Sequence, residues 1–450
     1  MQLKNYILVV VFFLMVTTIK GQFIWQIALG TPNTDYSRDM IATQDSNYLV
    51  LGSLGGLSLY LAKIDTGGNV LWEKTNNIGG SPGFINSICE TGNNNFVVSA
   101  RIYKGGNDYD SFLIKLDANG DTLFTVRDSA NLGSEVYKVW LAPDGNLLAS
   151  INYHGVGALV KMDNNFNVLA RIDTFGIKGL TVANNKIYVI NSDSTANLFI
   201  INNDFTQIDT INVPMYFPVY IRKSFDETEL IVDGVSMNIS NSPRKLVFLD
   251  SMGNVTASCD SAFSKFKYDF QLIDTNNNWL YVGENYQQQW GRDIRLYWTN
   301  KCGQVIKDTI LYRWSFNTSL DEQARKLIVD NEGNYLVTGY VQEGPLGDND
   351  IFVFKYKKVV IPTGEENPKE EEEDFSAPIL YPNPFSDGFV IKGISANTKI
   401  TVFDMSGRMV EQQVSTGTGF VFTTTYWAKG LYVIQLRSIT TTTNLKVIKQ

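Results

Sequence analysis

Histidine is nearly absent from this chain of 450 residues: His154 is the only one. A Ser–His–Asp triad or a Cys–His pair would have to rest on that imidazole. The flanking pattern puts it in a loop between strands, where a solvated turn residue is the simpler reading. Cysteine is scarce too. Cys89, Cys259 and Cys302 lack metal-ligand spacing, so with one His no zinc site is expected. We assign no catalytic residue, no metal and no cofactor from sequence. Three cysteines are too few for a disulfide scaffold, and an odd number leaves at least one thiol. No basic stripe runs along the chain, which argues against nucleic acid as a partner. No long helical period appears, which excludes a helical solenoid.

Long apolar runs are also missing, apart from residues 6–19. That uncharged run of fourteen follows Lys4. A membrane span takes about 20 apolar residues. The segment therefore reads as a secretory signal cut after Gly21 rather than as an anchor. Residues 1–21 are then a signal peptide, and no transmembrane segment is expected in the mature chain. Acidic charge is concentrated: residues 361–378 hold seven acids and one Lys, which is −6 of the formal −8. Residues 379–450 carry +4.

What is plentiful is Asn, Gly, Tyr, Phe, Val and Ile. Turn formers mixed with β formers give an all-β chain of short strands. One pattern recurs between residues 22 and 360. Hydrophobic anchors begin at Asn47, Asn95, Asn146, Lys186, Glu229, Asn278 and Asn334, stepping by 48, 51, 40, 43, 49 and 56 residues. Each has a partner strand that ends in a polar turn, as in Leu61-Ala62-Lys63-Ile64-Asp65. A four-stranded propeller blade takes roughly 40–50 residues. The seventh repeat has no outer strand, whereas residues 23–30 look like the outer strand at 70–74. Pairing residues 24–29 beside 352–356 would close the ring and remove exposed sheet edges.

The expected fold is all-β: a seven-bladed β-propeller over 22–360, an acidic linker over 361–378 and a small C-terminal β-sandwich over 379–450. The same alignment puts Cys259 on an outer strand and Cys302 in a turn of the next blade, on opposite faces. Bridged Cα atoms sit within about 7 Å, so no intramolecular disulfide is expected. Asp117-Ala118-Asn119-Gly120-Asp121 opens like a calcium loop, but Thr122 and Asp128 stand where that loop needs Gly and Glu. It reads as a hairpin turn.

The Glu-rich linker cannot bury enough apolar surface to order itself, so it reads as an extended spacer. Beyond it come Tyr381-Pro382-Asn383-Pro384, then Asp404-Met405-Ser406-Gly407, then Lys429-Gly430, and a terminal basic strand with Lys446 and Lys449. This series resembles the type A C-terminal sorting domain of the type IX secretion system of Bacteroidetes-type bacteria. The resemblance implies recognition by an outer-membrane translocon and its sorting machinery. Release, or attachment to the outer cell surface, would follow export to the periplasm by the signal peptide.

Binding residues are less clearly marked. Asp110, Asp293 and Asp350 precede matching strands, and Asp108 and Asp348 stand two residues before two of them. Such pairs could take a cation or polar ligand, or bond to loop amides. Tyr286 and Trp290 flank three glutamines, and flat rings beside amides suit sugars. Their loops are expected to share one face. The favoured function is a secreted or cell-surface, non-catalytic propeller that binds glycan or protein. The alternatives are an extracellular polysaccharide lyase or hydrolase on the same scaffold, and a structural surface component. Acid and base residues at matched strand positions, converging on the channel, would favour an enzyme.

Overall fold

The computed structural model describes residues 23–359 and 378–449, apart from 56–57, 77–83, 106–107, 128–134, 154–155, 175, 192–194, 225, 237–243, 262–268, 275, 288–290, 313–321, 343–345, 347, 382–387, 393, 396, 416–418, 425 and 439–441. The chain divides into two compact units, a propeller and a small sandwich. The propeller has seven antiparallel blades. Five are separate four-stranded sheets, and the fourth and fifth merge into one seven-stranded sheet. In that sheet Ile208–Lys223 is first the outermost strand of the fourth blade and then the innermost strand of the fifth. Phe217, which has φ 40°, and Pro218 interrupt its pairing with the fifth blade between Tyr216 and Tyr220, and Pro214 lies in the break of its pairing with the fourth, between Val213 and Tyr216.

The first strand closes the ring, as its likeness to an outer strand implies. Phe23–Leu29 lies antiparallel to Asn349–Tyr356, with Trp25 opposite Lys355 and Leu29 opposite Ile351. The anchor strands are buried on both sides because each blade is covered by two neighbours. In the first blade Leu49 and Leu51 pack toward the second, while Tyr48 and Val50 pack toward the seventh. Double coverage explains why these strands read as continuous apolar runs rather than as strict alternation. Each such side chain contributes about 1.5–3 kcal/mol by leaving water.

Blades also grip one another at their outer edges. The outer strand of one blade leans over the last hairpin turn of the next. Trp25 Nε1 donates to the Thr66 carbonyl at 2.9 Å, and a Cβ on Gly68 would come within 2.7 Å of its ring. Trp72 covers Gly120 in the same way, while Lys74 pairs with Asp121 at 2.6 Å. Further round, Phe124 meets Phe166 with ring centroids 5.1 Å apart.

Between the fifth and sixth blades this seam is covalent. Cys259 is bonded to Cys302, with Cα atoms 5.7 Å apart. The expectation of no disulfide was therefore wrong. The elements were placed correctly: Cys259 lies on an outer strand opposite Leu246, and Cys302 in the next blade's turn. The error was to set them on opposite faces. Blade twist carries each outer strand against the following turn. Lys74, opposite Leu61, holds the position equivalent to Cys259 and makes its ion pair there. Cys89 stays a thiol, and burial with help from Asp39 and Glu90 pushes it up to about 12.

The lysine of the repeated partner strand has a structural task. Lys63, Lys161 and Lys355 are buried and reach back to Asp45, Asp144 and Asp330 in the first turn of their own blades, at 2.6, 2.6 and 2.8 Å. In the fifth blade Phe248 replaces the lysine, and Lys301 from the next blade sits 4.3 Å over its ring. Burial pushes the Asp45 carboxyl up, but hydrogen bonds from Lys63, Thr43 and Asn47 more than reverse this, to about 2.

The second unit is a β-sandwich. Ile379–Tyr381, Gly388–Lys392 and Gly419–Thr423 form one sheet. Met409–Val414, Lys399–Asp404, Gly430–Arg437 and Thr442–Lys449 form the other. Phe389 and Phe422 stack at 4.8 Å in the shared core, with Trp427 beside them.

Two outcomes follow from these contacts. Replacing Cys259 and Cys302 by Ser should lower stability by about 2–4 kcal/mol, measured by denaturant unfolding. Unreduced wild-type protein should show one cross-link and one free thiol in mass spectra. The second outcome concerns acid. Asp45 has a folded pKa below its unfolded value of about 3.9, so its contribution is present above pH 4 and lost as pH falls toward 2. Lys63→Met should therefore flatten the acid limb of the melting profile.

Candidate functional site

The innermost strands surround the propeller axis, and in five blades they carry a one-residue bulge. Arg38, Asn86, Tyr137, Lys178 and Arg325 are the residues skipped by the pairing. A bulge kinks its strand and re-aims the side chain. All five are partly or fully exposed, among buried neighbours.

The residue that follows each bulge is held at one depth. Asp39, Ser87, Lys138, Gly179 and Lys326 pair with Leu51, Ser99, Ser150, Ile190 and Thr338, the fifth residue of each anchor. Tyr220 and Asp269 take the same register in the fifth and sixth blades, opposite Asp233 and Val282. One residue from each blade thus forms a ring around the axis.

Three ring members reach the next blade's backbone. Asp39 Oδ2 accepts from the Ile88 amide at 3.2 Å, and Ser87 Oγ from the Val139 amide at 2.9 Å. Asp269 Oδ2 accepts from the Leu327 amide at 3.1 Å. Each of these amides belongs to the residue just after the neighbouring ring position. The hydroxyls of Ser37 and Thr338, 2.9 Å apart, tie the first blade to the seventh.

Charges from five blades converge here. Lys326 Nζ lies 3.3 Å from Asp269 and 3.8 Å from Asp39, and Arg222 lies 3.3 Å from Asp269. Burial pushes Asp269 up, but Lys326 and Arg222 outweigh it and hold the carboxyl below its usual range. Burial pulls Lys326 down, and Asp269 and Asp39 more than restore it. Lys138 differs. It has no carboxylate within ion-pair distance among the described residues, and its Nζ stands 5.5 Å over the Trp140 ring. Burial lowers its pKa, Lys326 and Arg222 lower it further against Asp39 and Asp269, and it comes to about 8.

A second cationic group sits at the bulge level between the first and seventh blades. The Tyr36 and Tyr340 rings meet edge-on at 4.9 Å, with Arg38 and Arg325 each 5.4 Å from one of them. Burial and the neighbouring Arg325 both lower the Arg38 pKa. Its Nε is buried with no hydrogen-bond partner among the described residues.

The binding residues expected from sequence lie elsewhere. Asp108 and Asp110 are on the third strand of the second blade, opposite Gly105 and Ile102. Asp350 is buried on the third strand of the seventh and accepts from the Leu346 amide at 2.5 Å, while Asp348 is exposed. Tyr286 is on the second strand of the sixth blade, opposite Arg292. Trp290 and His154 lie outside the described residues. The innermost-strand charges were overlooked. The signal was present: counting back seven to ten residues from the start of each second strand reaches the ring position in every repeat.

In the sandwich, Tyr381 ends a strand and Pro382, Asn383 and Pro384 lie outside the described residues. Asp404 closes a hairpin with Gly407 at φ 80°. The Ser406 hydroxyl, aided by the Ser406 and Arg408 amides and the Arg408 guanidinium, holds its carboxyl at about 2. Gly430 begins the next strand at φ 151°, and the last strand carries Lys446 and Lys449.

An amine crowded by two cations costs stability. Lys138→Met should raise stability by about 1 kcal/mol in denaturant titrations near neutral pH. The penalty is full below pH 8 and relieved as pH rises toward the unfolded value of about 10.4. The advantage of the variant should therefore vanish in alkali.

No curated protein matches the chain. Among solved structures, it is similar to PorZ, described as an essential bacterial surface component of the type-IX secretion system of Porphyromonas gingivalis. That match has 10% identity, 91% of this chain, 74% of that chain and a TM-score of 0.41. The Neurospora crassa Pan2 WD40 domain matches at 10% identity over 73% of this chain and 90% of that one, with a TM-score of 0.45. The Dos1 propeller matches at 9% identity over 71% and 77%, with a TM-score of 0.44. In sequence, residues 379–450 match the family described as Secretion system C-terminal sorting domain. With its hairpin at Asp404 and its closing basic strand, that segment of the chain belongs to the sorting domains of the type IX secretion system.

Proposed function

We propose that the mature chain is a secreted or surface-attached propeller that binds a glycan or protein without transforming it. Residues 1–21 direct it to the periplasm, 22–360 are the binding module, and 361–378 space that module from the sorting domain. The translocon and sorting machinery of the type IX system are its export partners. The observation that carries the non-catalytic reading is the engagement of both ring carboxylates. Asp39 is taken up by the Met40 and Ile88 amides and by Lys326. Asp269 is taken up by the Phe270 and Leu327 amides, Arg222 and Lys326. Hydrolysis of a glycoside needs two available carboxyl groups at a set separation, and these two have structural work. Asp108, Asp110, Asp348, Asp350, Tyr286 and Trp290 remain proposed contacts on the loop face.

A polysaccharide lyase is the second reading, and Lys138 favours it. An unpaired amine with a pKa of about 8 is poised to act as a base. Acid and base residues do converge at matched strand positions, which is the arrangement that favours an enzyme.

Purified mature chain on a glycan array should bind saturably and leave the bound chains uncleaved. New unsaturated sugar ends, lost on Lys138→Met, would favour the lyase. Deleting residues 380–450 should leave the propeller folded but confined to the periplasm. Unchanged surface display of that truncation, seen by fractionation, would contradict the export assignment.

A further inference from the structure

The propeller segment is acidic: with +2 before residue 22, −6 in the linker and +4 in the tail, residues 22–360 carry −8. Its channel has the opposite sign. At the bulge and ring positions the described charged residues are Arg38, Lys138, Lys178, Arg325 and Lys326 against Asp39 and Asp269. Arg222 adds a further cation beside Asp269. Asp35 and Glu322 begin the first and seventh innermost strands: Asp35 spends its carboxylate on the Thr31 and Gly55 amides, and Glu322 is a further buried acid that offsets one cation. The excess positive charge is therefore local and set against the charge of the whole unit.

Among the described residues neither Lys138 nor Arg38 has a carboxylate within ion-pair distance, although Asp39 and Asp269 act on Lys138 from further off. The buried Arg38 Nε has no hydrogen-bond partner among them either. Unpaired buried charge is costly unless a ligand completes it. A channel lined by one sign also focuses its field on an incoming opposite charge. Flat rings stand beside these cations. Tyr36 and Tyr340 lie against Arg38 and Arg325. Tyr137, a bulge residue next to Lys138, and Phe84, at the start of the second innermost strand, are each 43% exposed, with the Arg101 guanidinium 5.8 and 4.3 Å from their rings. Rings stack on sugar faces, and guanidinium groups fork onto carboxylates and sulfates.

We propose that the central channel binds an acidic oligosaccharide, whose carboxylate or sulfate groups are received by Lys138 and by Arg38 and whose rings rest on the exposed Tyr137 and Phe84. This deepens the binding reading above and rests on it. The site differs from the loop-face residues Tyr286 and Trp290.

Calorimetry on the mature full chain tests it with three probes: an oligogalacturonate, a sulfated galactan oligomer, and the methyl-esterified oligogalacturonate as the neutral match. At least one acidic oligomer should bind at least tenfold more tightly than the neutral one, and added salt should weaken it. The two acidic arms separate carboxylate from sulfate recognition. Lys138→Met and Arg38→Gln should each lose at least fivefold in affinity with no loss of melting temperature. Lys186→Met, an exposed cation at the turn of the fourth blade's first hairpin and at neither a bulge nor a ring position, should bind as wild type. Equal binding of acid and ester would overturn the proposal while leaving a glycan-binding propeller standing. So would equal losses in Lys186→Met and Lys138→Met. Absence of binding to both acidic oligomers by folded protein would overturn it as well. If one channel variant fails to fold, the other carries the test.

Discussion

An innermost propeller strand pairs along one edge only, and its other edge faces the channel. Amides on that edge need acceptors, and here the preceding blade supplies them. Asp39, Ser87 and Asp269 each reach across to the amide just past the neighbouring ring position. This one contact links the backbone register of a blade to the side-chain identity of the blade before it. It also buries two carboxylates, Asp39 and Asp269, on the innermost strands. Lys326 and Arg222 then compensate them, so the fold's own need for acceptors brings charge into the channel. Lys138 and Arg38 have no such carboxylate partner among the described residues, and a ligand is the account proposed for them.

The outer edge is governed by a different contact. Trp25, Trp72 and Phe124 occupy equivalent places on three successive outer strands, and Cys259, on the fifth blade's, stands two residues further along in the place of Lys74, each against the next blade's turn. Gly68 and Gly120 are required there because a Cβ would collide with the tryptophan above. The disulfide is one version of this seam rather than a feature apart. It lies next to the merged sheet of the fourth and fifth blades, so three consecutive blades are tied by a shared strand and a covalent bond.

Much of this was legible in the sequence because it depends on local pattern. Anchor spacing marked seven blades, and the orphan strand at 23–30 marked the closure, since a missing edge strand is a hydrogen-bonding deficit that something must fill. The Asp–Gly turns were legible for a similar reason: Asp65 caps the Gly67 and Asn69 amides locally. What was not legible depends on how blades meet. Opposite-face placement of Cys259 and Cys302 followed from treating blades as flat and parallel, and twist reverses it. The channel charges were missed because a bulge breaks the period-2 alternation that makes an innermost strand recognisable. Arg38-Asp39, Tyr137-Lys138 and Arg325-Lys326 then carry no periodic signal of their own. The proposed loop contacts drew attention instead, because aromatic residues beside glutamines are conspicuous in a string.

The central claim is that Lys138 stands in a cation-rich channel, short of its own counter-charge. The most direct measurement is the titration of that amine, by the pH dependence of its acylation rate followed in peptide maps of the intact chain. The account predicts a midpoint near 8. A midpoint at the ordinary lysine value of about 10.4 would mean that the amine is solvated or fully paired, and would contradict it.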